Sequence, residues 1–381
     1  MPLQRRIGVN ALYLIPGGVG GTEIYLRHLL AALAEIDHRN QYIVFTNRET
    51  GDDLCPAAAN FQTVPSIVPA RFRPARLIWE QTVLPIQAAR HKVDVLFSPG
   101  FSTPVMSLGG KVTVIHDLQH RRQPGNFGLF ERWAWEAMVW SAIRSSDWLV
   151  TVSKNSQRDI GEFYGVPKER VAVIRHGVEP AFHNLKQDPE FGESLLRQAC
   201  VPECRYLLAV STMHHHKNWF RLLEAYAKLV ADGRPEHLVV AGVRGKASNA
   251  VRKHLADNKL ADRVHLVGWQ PREVLLGLFK FAEALVFPST FEGFGMPVIE
   301  AMAAGLPVAC SDIPPLRETA DGVAQFFDPM SPDDIASTIA NILDPDKRAD
   351  FAQRGQDRAA DFRWQTAAEQ TLGVLLRAAR G

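Results

Sequence analysis

Short apolar runs rich in β-branched residues alternate with amphipathic helical stretches along the chain. Such runs, bounded by turn residues and separated by helices, are typical of parallel sheets covered by helices on both faces. The strands predicted in the first half are Ile7–Leu12, Gln41–Asn47, Val93–Ser98, Lys111–Asp117, Trp148–Ser153 and Val171–His176. Those predicted in the second half are Tyr206–Ser211, His237–Ala241, Val264–Gly268, Ala284–Ser289, Pro307–Ser311 and Val323–Phe327. The pattern predicts an α/β protein with two doubly wound parallel sheets.

The alternation is interrupted around Pro180–Arg205, and this interruption divides the chain. At 381 residues, two domains are the natural expectation. We predict a first Rossmann-like domain at 1–180, a linker at 181–205 and a second Rossmann-like domain at 206–363. Ligands of such folds bind at the carboxyl ends of the strands, so we expect the two domains to face each other across a cleft. The last stretch, 364–381, predicts a helix.

The composition is that of an ordinary globular protein, with 46% hydrophobic and 22% charged residues. No run reaches the roughly 18 apolar residues of a membrane span, and the first residues lack the apolar core of a signal peptide. We therefore expect a cytoplasmic protein. Its four cysteines, Cys55, Cys200, Cys204 and Cys310, are expected to be reduced thiols. Pro202 between Cys200 and Cys204, and the lack of a second pair, disfavour zinc.

The net charge of +2 is unevenly distributed. Residues 1–180 hold 20 Lys and Arg against 16 Asp and Glu, and the remaining residues hold 23 against 25. The positive excess gathers beside aromatic residues near Arg71 and Arg73 and again at Arg121 and Arg122. Such a surface suits anionic lipid headgroups or a lipid-linked diphosphate, and a solvated basic face is an equal alternative. The excess is too small for nucleic-acid binding, and no recognition motif accompanies it.

Two glutamates, Glu292 and Glu300, flank a glycine-containing loop after the predicted strand Ala284–Ser289. Pro297 suits the first position of a helix, which would place Glu300 in the opening turn. A carboxylate there also complements the helix dipole without any ligand, and this is the simpler alternative for Glu300 alone.

The backbone of the same loop predicts an anion site. Phe294, Gly295 and Met296 lead into the helix, and we expect their amides to point outward together with the positive end of the helix dipole. Such amides bind phosphate, and the neighbouring carboxylates can accept hydrogen bonds from sugar hydroxyls. The loop and the carboxylates together predict a site for a phosphorylated sugar.

A second glycine-rich loop, Pro16–Glu23, follows the first predicted strand. Gly20 and Gly21 permit a tight turn with exposed amides, and Thr22 is a candidate N-cap for the next helix. A dinucleotide-binding fingerprint would need a third glycine where Glu23 stands and an acidic residue at the end of the second strand, where Asn47 stands. NAD binding is therefore disfavoured.

Polar residues follow two other predicted strands. His116 and Asp117 close the strand that begins at Lys111, where we expect them to line a ligand site. A histidine that contacts only loop backbone is the alternative. Lys217 follows the strand Tyr206–Ser211 and precedes a helix, so its ammonium and the helix N-terminus can together offset phosphate charge. A solvated lysine is the simpler alternative.

Two short polar patterns resemble metal sites, but local structure accounts for both. The side chains of the consecutive residues His214–His216 point in different directions and have no acidic partner at ligand spacing. Asp344 and Asp346 stand between two predicted helices, where helix capping is favoured. We expect neither a metal ion nor another cofactor.

The spacing of Glu292 and Glu300 resembles the E-x7-E signature of the retaining glycosyltransferases of family 4, which have the GT-B fold. The similarity runs from Ile7 to about Arg363. It implies a metal-independent hexosyltransferase whose N-terminal domain binds the acceptor and whose C-terminal domain binds a nucleotide sugar. It also implies that the helix 364–381 crosses back to the first domain.

The resemblance further implies roles for individual residues. His116 would lie near the transferred sugar, Lys217 would neutralise the departing diphosphate, and Glu292 would hold sugar hydroxyls. The residues expected to bind the donor are Gly20, Gly21, Arg244, Val267, Trp269, Phe294, Gly295, Met296 and Glu300. Among these, Glu300 would hold the ribose, and Arg244 is a candidate replacement for the arginine that the family commonly has where Ser211 stands.

The resemblance also implies that the acceptor is bound by Asp117, Arg71 and Arg73, together with the loops Phe61–Trp79 and His120–Phe130. Three segments, beginning at Trp79, His116 and Phe327, resemble bacterial mannosyltransferases of polysaccharide assembly. This favours GDP-mannose as donor and a saccharide or lipid-linked saccharide as acceptor.

Three other functions remain open. The first is a transferase that uses UDP-glucose or UDP-N-acetylglucosamine, and the second is a nucleotide-sugar 2-epimerase of the same fold. The third is an inactive carbohydrate-binding subunit, which the full set of candidate catalytic residues disfavours.

Overall fold

The computed structural model describes residues 3–17, 20–52, 54–185, 194–199, 201–202 and 204–379. The chain divides into two compact units, one formed by Met1–Gly177 with Arg363–Gly381 and the other by Val178–Phe362. The second unit takes in the described part of the segment 181–205. Cys200 lies outside the described residues.

The first unit is built on a seven-stranded parallel sheet. Its strands are β1 Arg6–Asn10, β2 Gln41–Thr46, β3 Phe61–Pro65, β4 Val95–Ser98, β5 Gly110–Val114, β6 Trp148–Thr151 and β7 Val171–Val173. They lie in the order β3-β2-β1-β4-β5-β6-β7. The helices are α1 Gly21–Ile36, α2 Arg73–Arg90, α3 Gln119–Arg122, α4 Leu129–Ser145 and α5 Lys154–Tyr164, with 3-10 turns at Pro124–Asn126 and Lys168–Arg170.

The second unit contains a six-stranded parallel sheet of the same kind. Its strands are β8 Tyr206–Val210, β9 His237–Ala241, β10 Val264–Gly268, β11 Ala284–Phe287, β12 Val308–Ser311 and β13 Gln325–Phe327. They lie in the order β10-β9-β8-β11-β12-β13. The helices are α6 Pro180–His183, α7 Ser194–Gln198, α8 Trp219–Ala231, α9 Ser248–Asp257, α10 Arg272–Phe281, α11 Met296–Ala303, α12 Pro314–Ala320, α13 Pro332–Ile342 and α14 Pro345–Ala359, with a 3-10 turn at His215–Lys217.

The last helix, α15 (Trp364–Ala378), belongs to the first unit and packs on α1. The ring of Trp364 stacks on that of His28, with centroids 5.4 Å apart. A Cβ atom at Gly177 would lie 2.3 Å from the backbone nitrogen of Trp364, so only glycine allows this approach.

The apolar pattern predicts every strand except β3. This strand lies at the edge of the first sheet and is half exposed, so it lacks the continuous apolar run of a buried strand. Pairing with β2 holds it in place, and the rings of Tyr42 and Phe61 stack at 4.3 Å. The region Phe61–Trp79, predicted to be a loop, therefore contains β3 and the start of α2.

Other predicted boundaries also need correction. The region His120–Phe130 is not one loop, because it holds most of α3 and the start of α4. Several predicted strands ran too long, because the apolar residues continue after the ladder of hydrogen bonds has ended. The strand predicted at Lys111–Asp117 ends at Val114, which leaves His116 and Asp117 in the loop beyond β5.

Local side-chain chemistry fixes several helix ends. The Ser153 hydroxyl caps α5 by accepting a hydrogen bond from the Ser156 amide at 3.1 Å, and Gly165, with a φ of 65°, ends that helix. Asp344 caps α14 by accepting from the Asp346 amide at 3.1 Å. The prediction that this acidic pair caps a helix is confirmed.

Among the described residues, none of the helices is both long enough and apolar enough to cross a membrane.

Candidate active site

In the second unit the winding of the chain reverses between the neighbouring strands β8 and β11. Ligands of doubly wound sheets bind at such a switch point, beyond the carboxyl ends of the strands. Lys217 follows β8 and Glu292 follows β11, and the distance from the Lys217 Nζ to the Glu292 Oε1 is 2.5 Å. Their side chains are only 15% and 12% exposed, so the ion pair is largely shielded from water. The sequence singles out both residues as candidates but does not reveal their contact.

The loop after β11 ends at Gly295, which has a φ of 97° and is the N-cap of α11. The backbone conformation favours glycine, and a Cβ atom at this position would lie 2.5 Å from the Leu316 Cδ2 and displace that side chain. Met296 opens the helix, Pro297 has no N–H, and the Val298 amide donates to the Gly295 carbonyl at 3.0 Å. Within the first turn, only the Met296 amide is therefore placed to meet a ligand. Phe294 is buried, and its carbonyl accepts a hydrogen bond from the Thr319 hydroxyl at 3.1 Å.

Two positions in α11 differ from the prediction. Because the helix begins at Met296, Pro297 is its second residue rather than its first. Glu300 consequently lies beyond the opening turn. The left-handed conformation of Gly295 starts the helix one residue earlier than the proline alone suggests.

Glu300 is buried and belongs to a chain of charges formed with Arg272 and Glu179. The Arg272 Nη1 lies 3.6 Å from the Glu300 Oε1, and the Arg272 Nε donates to the Glu179 Oε2 at 2.8 Å. Burial raises the pKa of Glu300 to about 7 against the lowering effect of Arg272, and the charge of Glu179 adds to the rise. The carboxyl group of Glu300 therefore titrates near neutrality.

The sequence interpretation missed Arg272 and Glu179. Arg272 could have been found from its position, because it is a cation that opens a helix directly after the loop of Val267 and Trp269. Nothing local identifies Glu179, which is 93 residues away from Arg272 along the chain. Phe182 also lies against the guanidinium of Arg272, at 4.6 Å from its ring centroid.

The loops after β8, β9 and β10 are hydrogen-bonded into one edge. The Met213 amide donates to the Val243 carbonyl at 3.1 Å, and the Gly242 amide donates to the Gly268 carbonyl at 2.8 Å. Arg244 and Trp269 are exposed on this edge. The carbonyl of the half-buried Val267 accepts from the Gln270 side chain at 2.7 Å.

The consecutive histidines help to shape the loop that carries Lys217. The rings of His214 and His216 stack with centroids 5.8 Å apart. The carbonyl of His216 accepts from the Thr290 amide at 2.8 Å, which joins the loops after β8 and β11. Burial and the charge of Lys217 lower the pKa of His216 to about 3. These histidines form no cluster of metal-ligand atoms among the described residues.

In the first unit, His116 lies just beyond β5 and is buried, with 7% of its surface exposed. Its Nε2 lies 3.0 Å from the Pro99 carbonyl oxygen, in the loop after β4, and its ring meets the edge of the Tyr25 ring at 5.1 Å. Burial lowers the pKa of His116 to about 4. Because a carbonyl only accepts, the neutral ring must carry its proton on Nε2, and Nδ1 is then an acceptor.

A second histidine, His176, lies beside His116 and was missed in the sequence. The two ring centroids are 5.8 Å apart, and His176 also meets the Tyr25 ring at 4.9 Å. Burial lowers its pKa well below the ordinary value, and the charge of His116 acts in the same direction. The available signal was its position: it follows β7 as His116 follows β5.

The glycine loop after β1 is described only in part, because Gly18 and Val19 lie outside the described residues. Gly20, with a φ of 60°, is the N-cap of α1, and Gly21 is the first residue of that helix. Thr22, the predicted N-cap, therefore lies inside the first turn. Glu23 accepts a hydrogen bond from the Gly17 amide at 2.8 Å, which ties the loop to the helix.

The basic residues of the first unit differ in their surroundings. Arg71 is exposed, whereas the Arg73 guanidinium lies 4.7 Å from the ring centroid of Trp135. Arg121 is paired with Glu136, and Arg122 with the two acids Asp159 and Glu162. The pair of arginines at 121–122 is therefore neutralised by carboxylates and does not form a free basic surface. Asp117 accepts from the Gln119 amide at 3.0 Å.

The predicted site residues thus fall into two groups. His116, Asp117, Gly20, Gly21, Arg71 and Arg73 belong to the first unit. Lys217, Arg244, Val267, Trp269, Glu292, Phe294, Gly295, Met296 and Glu300 belong to the second. In each unit, the candidate catalytic residues follow the carboxyl ends of parallel strands.

Comparison with known proteins supplies the family. Residues 19–182 match the model described as Glycosyltransferase Family 4, and residues 200–358 match Glycosyl transferases group 1. The O-antigen chain mannosyltransferase B of Escherichia coli is 27% identical over 286 residues, which are 74% of this chain and 74% of that protein. The O-antigen chain mannosyltransferase RfbU of Salmonella typhimurium is 27% identical over 62% of this chain and 61% of its own length.

Comparison with a solved structure identifies the fold. Sucrose-phosphate synthase from Thermosynechococcus elongatus superposes with a TM-score of 0.78 at 19% identity, over 98% of each chain. The two doubly wound parallel sheets agree with this likeness, so the chain has the GT-B fold. With both of its sheets matched by glycosyltransferase models, the chain belongs to the family 4 glycosyltransferases, enzymes that transfer sugars, and resembles their bacterial mannosyltransferases.

Proposed function

We propose that this glycosyltransferase moves a hexose from a nucleotide sugar to a saccharide or lipid-linked saccharide, with retention of configuration and without a metal ion. The contact of Lys217 with Glu292 at the switch point carries this proposal. It places a cation that can meet a diphosphate beside a carboxylate that can accept hydrogen bonds from a sugar.

The second unit supplies the donor site. Glu300 holds the ribose hydroxyls, and Arg272 balances its charge. The diphosphate contacts Lys217 and the Met296 amide at the start of α11, where the helix dipole is positive. Arg244 adds a second cation, because its loop is hydrogen-bonded to the loop after β8. The exposed ring of Trp269 and the backbone at Val267 contact the nucleotide base.

The reaction exchanges one bond at the anomeric carbon for another. The bond from this carbon to the β-phosphate oxygen breaks, and a bond to the acceptor oxygen forms on the same face of the sugar. The acceptor proton passes to the departing phosphate oxygen, so no separate carboxylate nucleophile is needed. Lys217 stabilises the negative charge that grows on the phosphate.

His116 orients the sugar as a neutral group. Its Nδ1 is free to accept a hydrogen bond from a hydroxyl, because Nε2 already donates to the Pro99 carbonyl. Asp117 and the basic residues Arg71 and Arg73 act on the acceptor side.

Mannose from GDP-mannose is the proposed donor substrate. Both relatives described above are named mannosyltransferases, and they support this choice over UDP-glucose or UDP-N-acetylglucosamine. A nucleotide-sugar 2-epimerase is the other enzymatic possibility, and it would change the donor without an acceptor.

A contact with the inner membrane surface completes the proposal. Along α4 the side chains Phe130, Trp133 and Trp140 are 88%, 67% and 52% exposed. Their spacing puts them on one face of the helix. The exposed Arg132 and Arg144 of the same helix suit anionic headgroups.

Calorimetric titration of the purified protein with GDP, UDP, dTDP, ADP and NAD, without added metal, tests the donor site. We expect tight binding of GDP alone. Binding of UDP alone would overturn the choice of donor base, and binding of NAD alone would overturn the nucleotide-sugar proposal.

Incubation with GDP-mannose then tests the reaction. Transfer should require an acceptor and give a product with the anomeric configuration of the donor, measured by NMR. A new nucleotide sugar formed from the donor alone would identify an epimerase instead.

A further inference from the structure

Three potential metal ligands lie together in the second unit, apart from the candidate active-site residues, although the spacing of Cys200 and Cys204 in the sequence disfavours zinc. They are Cys204, two residues before β8, His237, the first residue of β9, and His265, the second residue of β10. The thiol sulfur and one ring nitrogen of each histidine lie within 4.8 Å of one another. All three side chains are half-buried, and no other cluster of this kind occurs among the described residues.

Strand register explains why the three residues meet. Strands β10, β9 and β8 are consecutive neighbours, with Tyr206 opposite His237 and Val239 opposite His265. The amino ends of parallel strands lie at the same edge of the sheet. The cluster is therefore at the edge opposite to the one that carries Lys217 and Glu292.

The two histidine rings direct nitrogens at each other. His237 Nδ1 and His265 Nε2 are 2.8 Å apart, and the rings are nearly parallel, with an interplanar angle of 5°. A single proton can bridge such a pair, and so can a cation that both lone pairs approach. Cys204 gives the cluster a third, softer ligand.

The set of donor atoms selects the metal. Two imidazole nitrogens and one thiolate suit tetrahedral Zn²⁺, with water in the fourth position. Zinc-ligand bonds of about 2.0 to 2.3 Å put neighbouring ligand atoms about 3.3 to 3.8 Å apart. The two ring nitrogens are 2.8 Å apart and no pair of ligand atoms is more than 4.8 Å apart, so side-chain adjustments of about an ångström would close the site.

We propose that Cys204, His237 and His265 bind one Zn²⁺ ion, which ties together the amino ends of three neighbouring strands. The ion cross-links these strands at the edge of the sheet opposite to the candidate active site, so it does not act on the donor. The metal-free chemistry proposed for that site is unaffected, and the two proposals stand or fall separately.

Titration of the tag-free, chelator-treated protein with Co²⁺ tests the site. We expect one equivalent to bind, with a thiolate-to-cobalt charge-transfer band in the near ultraviolet, and Zn²⁺ to displace it. Cys204→Ser should abolish that band, and His237→Gln should weaken Zn²⁺ binding at least tenfold. Cys55→Ser, at a half-buried cysteine of the first unit, is the matched control and should keep both the band and the affinity.

Thermal unfolding supplies a second readout. Zn²⁺ should raise the melting temperature of the wild-type protein and of Cys55→Ser, but not that of Cys204→Ser. Without metal, the Cys204→Ser and wild-type proteins should melt together, which verifies that the variant folds. Absence of the charge-transfer band in the wild-type protein, or its persistence in Cys204→Ser, would overturn the proposal. Glycosyl transfer is measured on the same samples and should not follow metal content.

Discussion

At the scale of single residues, the proposed ribose role of Glu300 predicts that nucleotide binding depends on pH. Its pKa of about 7 in the free protein means that it gains a proton as the pH falls below neutrality. Ribose hydroxyls donate to the charged form and favour it, so affinity for GDP should fall between pH 8 and pH 6. Glu300→Gln should bind GDP at least tenfold more weakly, a loss of about 1.4 kcal/mol, and should lose this pH dependence.

Stability measurements separate binding from folding in this variant. Ionisation of a buried carboxyl group with a raised pKa destabilises the folded protein. The stability that the neutral form of Glu300 contributes is therefore lost as the pH rises toward 7. At pH 8 the Glu300→Gln protein should therefore melt no lower than the wild type. Glu273→Gln, an exposed position in α10, is the control. Equal GDP affinity in both variants would remove Glu300 from the ribose site.

The ion pair of Lys217 and Glu292 leads to a second prediction at this scale. Lys217→Met removes the charge that is proposed to offset the departing diphosphate, and kcat should fall by about 100-fold or more. Lys253→Met, at an exposed lysine of α9, should leave kcat unchanged. Steady-state kinetics with GDP-mannose compare the two, and a fall of less than threefold for Lys217→Met would contradict the proposed role.

His116 leads to a third prediction at this scale. Because its pKa is about 4, it stays neutral from pH 5.5 to pH 8 and should add no limb to the rate profile in that range. His116→Ala should lower kcat by at least tenfold while GDP affinity, measured by calorimetry, changes little. Full activity of the variant would exclude His116 from the mechanism.

At the scale of elements, the start of α11 depends on one glycine. Gly295→Ala introduces a Cβ at positive φ that overlaps Leu316, so the melting temperature should fall by about 4 to 8 °C. Gly373→Ala is the matched control, because this exposed helical glycine of α15 has open space around it. It should slightly stabilise the protein. Equal melting temperatures for the two variants would show that the loop adapts.

At the scale of the whole molecule, the exposed face of α4 predicts binding to lipid. The double variant Trp133→Ser with Trp140→Ser should bind vesicles of anionic phospholipid at least tenfold more weakly in a flotation assay. Met106→Ser removes another exposed apolar side chain of the first unit and should bind like the wild type. If both proteins float equally, α4 does not contact the membrane.

Local pattern was sufficient for most of the architecture. Buried parallel strands are continuous apolar runs, and turn residues separate them from helices, so twelve of the thirteen strands can be recognised without coordinates. The same reasoning singled out Lys217 and Glu292 as candidates, because polar residues that follow buried strands are expected at the ligand-binding edge. The edge strand β3 was not predicted, because a half-exposed strand lacks a continuous apolar run.

Only the tertiary structure decided which distant side chains meet. Lys217 and Glu292 are 75 residues apart, and Arg272 reaches Glu179 across 93. Cys204, His237 and His265 show no metal-binding spacing in the sequence, because their ligand atoms are brought together by the register of three strands. The amino-acid sequence by itself determined the elements and the polar residues at their ends, since these follow from local burial and turn chemistry. Sheet order and packing determined the contacts, the burial that moves the pKa of Glu300 and His116, and the partners that the sequence did not reveal.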